Sequence, residues 1–391
     1  MRAMRPDQQP RLQQLLQQGL AAAGVLGGAA AVVSATQVIA TAQVGDMQLS
    51  DPMMLGSTSK SITGQAVRQL AEQGLIDLHA PLRTYLQGAK VLPDATVREV
   101  AQHRSGLRSD STLAKNKKFR YANQNYNYLG ELVEQVSGLP FLEYVQRNIA
   151  PGAGASAHYG HGGIFGHWYR ARKFSTDRSS WIQPPSGALT MSTLTAAQYL
   201  QDQLAQPLLR IDAAPADHSP AVAGIFGELG NYGFGWIEKE HAGHKIYLHS
   251  GKVPGATSVF AVIPGLDRGL VLLVPYGEFL CATPLVEKVA EALLQFVMGE
   301  EVTSMPAVGR DRRVRHWKIG AACFAGLAVA IGLAMLSRWV QLPWLGLVIV
   351  IAGAVGFRVV SGTPTRWIIR FVPELFVVLV LALLCTLAVV V

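Results

Sequence analysis

The alternation of apolar and polar positions divides the chain into segments of different period. Leu12, Leu15 and Leu16 mark a short amphipathic helix inside a polar, Gln-rich start. From Gly19 to Thr41 there is no charged residue, and the apolar positions come in runs. Ala29–Val33 and Gln37–Ala42 read as the two strands of a hairpin. The period then becomes helical. Ile62, Ala66, Val67, Leu70 and Ala71 fall on one face, with Gly74 placed to end that helix as a left-handed cap. Thr96-Val97-Arg98-Glu99 has the form of a capping box that opens another helix. Leu129, Leu132, Val133 and Val136 line a third, closed by Gly138. Residues 150–188 are rich in Gly and His and predict loop. Tyr232–Trp236, Lys245–His249, Ser258–Ile263 and Gly269–Val274 alternate or run apolar between turn residues, the pattern of successive antiparallel strands. Val286–Met298 closes this part of the chain as an amphipathic helix.

Beyond Arg310 the pattern changes again. Ile319–Ser337, Trp339–Phe357 and Phe371–Val391 are long apolar stretches in which Glu374 is the only charge. Each is about 20 residues, enough to cross a hydrocarbon core, and Trp317, Trp339, Trp344 and Trp367 lie near their edges. Three membrane spans are therefore expected, with the lipid bilayer as a partner. Charge agrees with this division. Residues 310–391 hold 9 Lys and Arg against 2 Asp and Glu, whereas residues 1–309 hold 25 against 24. The overall +8 thus belongs to the C-terminal part, and no nucleic-acid partner is expected. The three cysteines, Cys281, Cys323 and Cys385, are too few and too scattered for a disulfide framework or a zinc cluster. His158, His161 and His167 have no nearby carboxylate or cysteine, so no metal and no cofactor are expected.

The candidate chemistry lies where the helical period begins. Ser57 and Lys60, in Leu55-Gly56-Ser57-Thr58-Ser59-Lys60, are three residues apart and share a helix face. A helix N-terminus favours developing negative charge on the hydroxyl, and a desolvated amine can take its proton. A capped surface helix can carry the same four residues, so the pattern alone decides little. Two further stretches fit one site with it. Tyr121-Ala122-Asn123 sets a phenol and a carboxamide two apart on a loop, and His249-Ser250-Gly251 ends a predicted strand.

In this order the three triplets resemble the serine β-lactamase and penicillin-binding-protein family, in its class C β-lactamase, D-alanyl-D-alanine peptidase and esterase branch. Gln73-Gly74-Leu75-Ile76-Asp77-Leu78, His103-Arg104-Ser105-Gly106-Leu107 and Tyr232-Gly233-Phe234-Gly235-Trp236 look like further stretches of that family, and the resemblance spans roughly residues 15–298. It implies an α/β (α+β) fold: a β-lactamase-like antiparallel sheet flanked by helices, plus an all-helical domain. Three transmembrane helices follow. The expected divisions are a polar N-terminal segment (1–18), a hydrolase domain (19–300), a basic linker (301–318) and the anchor (319–391).

Carried over, the resemblance implies that Ser57 forms an acyl-enzyme with a small-molecule or peptide substrate. Lys60 and Tyr121 would share proton transfer, with pKa values drawn towards neutrality. Asn123 would bind the substrate amide, and His249 would orient Tyr121 or an anionic end of the substrate. Ser250 and Gly251 would line the approach, and the backbone N–H groups of Ser57 and Lys252 would form the oxyanion hole. Two departures stand out. Only 13 residues (108–120) separate the Ser-Gly-Leu turn from Tyr121, and Asn125 stands where glycine is common. Asn tolerates the left-handed backbone such a glycine would adopt. The rival expectation is a non-catalytic binding or sensor protein of the same fold, anchored in the membrane. The side of the membrane is contested. Basic residues before the first span and in the second loop (Arg358, Arg366, Arg370) favour a cytoplasmic domain, whereas relatives with such an anchor act outside. The family's chemistry favours the extracytoplasmic side.

Overall fold

A computed structural model describes residues 8–307, apart from 87–93, 109–112, 114–117, 156–160, 163–168, 171–181, 206–212, 217–224, 227–229, 254 and 277–281. The three apolar C-terminal stretches, the basic segment before them, His158 and His167 lie outside the described residues. Among the described residues no helix is long and apolar enough to cross a membrane.

The helix α1 (Gln8–Ala23) is longer than its three leucines announce, and it buries Leu12, Leu15, Leu16 and Leu20. It leads into β1 (Gly28–Val33) and β2 (Val38–Val44), the expected hairpin. After the short β3 (Met53–Met54) comes a 3₁₀ turn (Gly56–Thr58) that feeds α2 (Ser59–Glu72). Gly74 follows at φ +74°, and the Leu75 N–H reaches back to the Leu70 carbonyl, so the left-handed cap forms as predicted. Next come α3 (Val97–Ala101), with the Thr96/Glu99 capping box in place, α4 (Asn123–Ser137) ending at Gly138, and α5 (Phe141–Asn148). The stretch read as loop holds the two-residue strands β4 (Gly154–Ala155), β5 (His161–Gly162) and β6 (Tyr169–Arg170). A π-type turn (Pro184–Ala188) leads to β7 (Leu189–Met191) and α6 (Thr193–Ala205). The chain then returns to the sheet through β8 (Ala214–Pro215), β9 (Asn231–Gly233), β10 (Trp236–His241), β11 (His244–Val253), β12 (Ala256–Ile263) and β13 (Arg268–Val274), and closes with α7 (Ala282–Met298).

The main sheet is antiparallel in the order β2-β1-β13-β12-β11-β10-β9-β8. Tyr232–Trp236 is not one strand. Phe234 (φ +49°) and Gly235 (φ +82°) form a two-residue hairpin turn, and Trp236 begins β10. β1 and β12 are buried along their whole length, which requires cover on both faces. Register says which residues face which layer. A Cβ on Gly28 would meet Leu20 of α1, and one on Gly269, the partner of Val33, would lie near Leu200 of α6. Thus Ala30, Leu272, Val259 and Ser250 face α1 and α7, while Ala31, Val271, Phe260 and His249 face α6 and α2. The ring contact of Phe260 with Tyr199 of α6 fits this alternation. Helices α2, α3, α4 and α5 pack together with the π-turn as a helical layer beside the sheet. Its seam with the sheet runs past the 3₁₀ turn and the second half of β11.

Candidate active site

Ser57 stands in the 3₁₀ turn just before α2, held by close backbone contacts. Gly56 has φ +57°, and a Cβ there would lie 2.7 Å from the Lys252 backbone nitrogen. A Cβ on Gly251 would lie 1.8 Å from the Leu55 carbonyl oxygen, so glycine is obligatory at that crossing. Ser258 Oγ and Thr58 Oγ1 both donate to that same carbonyl, and they lie 2.8 Å from each other. The turn and β11 are thereby fixed backbone to backbone. β10 pairs with β11 only from His244 to Leu248, so among the described residues the edge of 249–253 faces the 3₁₀ turn without a partner strand.

Lys60 is fully buried, with Nζ 3.1 Å from Ser57 Oγ, 2.8 Å from Asn123 Oδ1 and 2.6 Å from the Ser186 carbonyl. Burial pulls its pKa well below the ordinary lysine value. A neutral amine has two hydrogens and one lone pair. The Ser186 carbonyl and the Asn123 oxygen can only accept, so they take the two hydrogens, and the lone pair is left for the Ser57 hydroxyl. Lys60 also lies 4.9 Å from the centre of the Tyr121 ring and 5.7 Å from that of Tyr126. Those π faces and the three acceptors would stabilise the ammonium once it formed.

Tyr121 is half-buried and hydrogen-bonded to Ser57. Burial raises its pKa well above that of a free phenol, and the bond to Ser57 only partly offsets this. The expectation that both partners move towards neutrality therefore holds for Lys60 and fails for Tyr121. Asn123 is the first residue of α4 rather than part of a loop, and its carboxamide oxygen serves Lys60.

His249 lies inside β11, not at its end. Its Nε2 is 3.2 Å from the Tyr232 hydroxyl and its Nδ1 is 2.8 Å from the Ser250 carbonyl. The carbonyl can only accept, so Nδ1 carries the proton and Nε2 accepts from Tyr232. Burial, then the nearby Lys60, pushes its pKa down to about 3. The ring is neutral and both nitrogens are engaged. It therefore neither orients the Tyr121 hydroxyl nor carries charge for an anionic group. Ser250 and Lys252 point to the other face. Ser250 Oγ donates to Glu287 Oε1 of α7 at 3.1 Å, and Lys252 Nζ reaches the same oxygen at 2.8 Å.

Sequence reasoning missed several residues of this site. His103, read as part of a polar turn, is fully buried at φ +55°, with ring centres 4.4 Å from Tyr121, 5.2 Å from Tyr126 and 4.8 Å from Tyr232. Its Nδ1 accepts from Asn125 Nδ2 at 3.0 Å and from the Ala122 N–H at 3.3 Å. Burial, and then Lys60 and His249, hold it neutral. Asn125 is accordingly helical rather than left-handed. Its carboxamide joins His103 to the Ser105 hydroxyl, which donates to Oδ1 at 2.6 Å. Ser186 had no local signal at all, and Tyr232 was noted for its stretch but not as a partner of His249. Among the described residues no group of three His, Cys, Asp or Glu side chains is placed to hold a metal.

A family model described as Beta-lactamase matches residues 12–276. Solved structures share the fold. One is a penicillin-binding protein homologue from Pyrococcus abyssi, at 19% identity and TM-score 0.60, covering 78% of this chain and 80% of that one. Another is the D-amino acid amidase from Ochrobactrum anthropi SV3, at 17% and 0.61, covering 74% and 99%. A third is a beta-lactamase/D-alanine carboxypeptidase from Yersinia pestis, at 14% and 0.56, also covering 74% and 99%.

Proposed function

The chain belongs to the beta-lactamase family, whose members are serine hydrolases, and on that premise we propose that it hydrolyses small amides, peptides or esters through an acyl-enzyme on Ser57. One observation carries this reading: a fully buried, charge-averse amine whose free lone pair faces the Ser57 hydroxyl at 3.1 Å. Lys60 takes the Ser57 proton as the oxygen attacks the substrate carbonyl. The backbone N–H groups of Ser57 and Lys252, brought together by Gly56, receive the developing oxyanion. Lys60 then returns the proton to the leaving group, with the Tyr121 phenol as the hydrogen-bonding relay beside Ser57. A water activated by Lys60 and Tyr121 releases the acid. Tyr121 serves as a neutral phenol, because its burial disfavours the phenolate.

The fold, shared with a D-amino acid amidase and with a beta-lactamase/D-alanine carboxypeptidase, admits either substrate class, and the preference for amides and esters over β-lactam drugs is part of the proposal. A panel of D-aminoacyl amides, short-chain p-nitrophenyl esters and nitrocefin tests this. Turnover of an amide or ester well above that of nitrocefin is expected, and rapid nitrocefin hydrolysis with neither of the others accepted contradicts it. We further propose, from the three apolar C-terminal stretches, that the protein is anchored in a bilayer with its catalytic domain outside the cytoplasm. Three spans put Val391 on the opposite side from Ser57. An alkaline phosphatase fused after Val391 should then be inactive, and an active fusion would place the catalytic domain inside.

A further inference from the structure

Ser250 and Lys252 hang from the strand edge that the 3₁₀ turn faces, on the side turned to α7. Among the described residues of that edge they are the two side chains with donors to offer a carboxylate lying along it. Both are already committed. Ser250 Oγ and Lys252 Nζ converge on one oxygen of Glu287, at 3.1 Å and 2.8 Å. The Glu287 side chain is about one-tenth exposed and that of Lys252 about one-quarter, and the Lys252 backbone nitrogen lies against Gly56, next to Ser57, so the pair borders the 3₁₀ turn without being sealed in the core. On the opposite side of the strand His249 offers no charge and no spare N–H.

We propose that Glu287 is a specificity-determining residue: an internal carboxylate that occupies the donors of Ser250 and Lys252 and so selects substrates that carry no carboxylate along the β11 edge. A substrate carboxylate there would have to displace Glu287 from both donors and then sit beside its negative charge. An amide, ester or other neutral group meets no such conflict. The preferred substrate is an acyl amide or ester that carries no carboxylate on either side of the scissile bond. This inference rests on the Ser57 hydrolase reading.

The test uses the full chain and three thioesters of one N-acyl D-amino acid, followed by thiol release. One probe is neutral throughout, one carries a carboxylate on the thiol portion, and one carries it on the acyl portion. The quantity read is kcat/KM for each charged probe divided by that for the neutral probe, so a general loss of activity cancels. In the unaltered protein at least one charged probe should be disfavoured tenfold or more. Glu287→Gln keeps the shape of the side chain and frees the Lys252 charge, and it should raise that ratio about tenfold. Lys252→Met leaves Glu287 unpaired and should lower it at least threefold. Ratios unchanged in both variants, with Ser57 still labelled by a fluorophosphonate, overturn this inference and leave the hydrolase reading standing. A protein that neither labels at Ser57 nor turns over any probe overturns both.

Discussion

Replacing Lys60 by methionine separates catalysis from stability in a way that follows from its surroundings. The methionine side chain is apolar and nearly isosteric, and the site is fully buried. Two acceptors lose their donor, the Ser186 carbonyl and Asn123 Oδ1, at about 1–3 kcal/mol each. Against that, the substitution removes a desolvated amine whose burial is strong enough to pull its pKa well down, a cost of similar order. The terms oppose, so unfolding free energy should change by no more than about 2 kcal/mol. Catalysis has no such compensation. The general base contributes about 10²–10⁴-fold, or roughly 3–5 kcal/mol of barrier. The assay is the rate of fluorophosphonate labelling, with urea denaturation of the same sample as the control for folding. Labelling should slow by at least about a hundredfold in a cooperatively folded protein. A Lys60→Met protein that labels within tenfold of the unaltered chain would refute the assignment of Lys60 as the base.

The pH dependence of stability has a definite sign. His249 binds a proton at about 3 when folded and at about 6.5 when unfolded, so its contribution is complete above pH 6.5 and lost as pH falls towards 3, at up to about 1.4 kcal/mol per pH unit. Urea denaturation at pH 7 and pH 4 should therefore show a smaller acid loss in His249→Gln than in the unaltered chain, and equal losses would contradict it. Arg68 is about 6% exposed on the α2 face whose Ser61 and Gln65 bond to Tyr199 and Gln203, yet its three guanidinium nitrogens have no hydrogen-bond partner among the described residues. Removing such a charge relieves its desolvation, so Arg68→Met should raise unfolding free energy by about 1–3 kcal/mol, and a loss of more than 1 kcal/mol would contradict this.

Local patterning made much of the fold legible. The β1–β2 hairpin, the Thr96 capping box and the glycine ends of α2 and α4 depend on neighbours within a few residues, and the sequence displays those neighbours. So does the Ser57–Lys60 pair, because helix geometry fixes their separation. What stayed hidden depends on contacts distant in sequence. His103 looks like a turn residue until α4 brings Asn125 and Tyr126, the segment before it Tyr121, and β9 Tyr232 around it. The bond of Ser250 to Glu287, 37 residues on, is invisible until strand register turns the hydroxyl towards α7. The direction of the Tyr121 shift depends on burial by the assembled site, which no local stretch displays. Phe234 and Gly235 carried a visible turn signal in the glycine, but the aromatic run around them masked it.

The central claim is a covalent intermediate on Ser57, and intact-mass spectrometry measures it directly. Full-length protein treated with an activated ester or a fluorophosphonate should gain one adduct mass, localised by proteolysis to a peptide containing Ser57 and absent from Ser57→Ala. An adduct that persists in Ser57→Ala, or one that maps to Ser59 instead, would contradict the account.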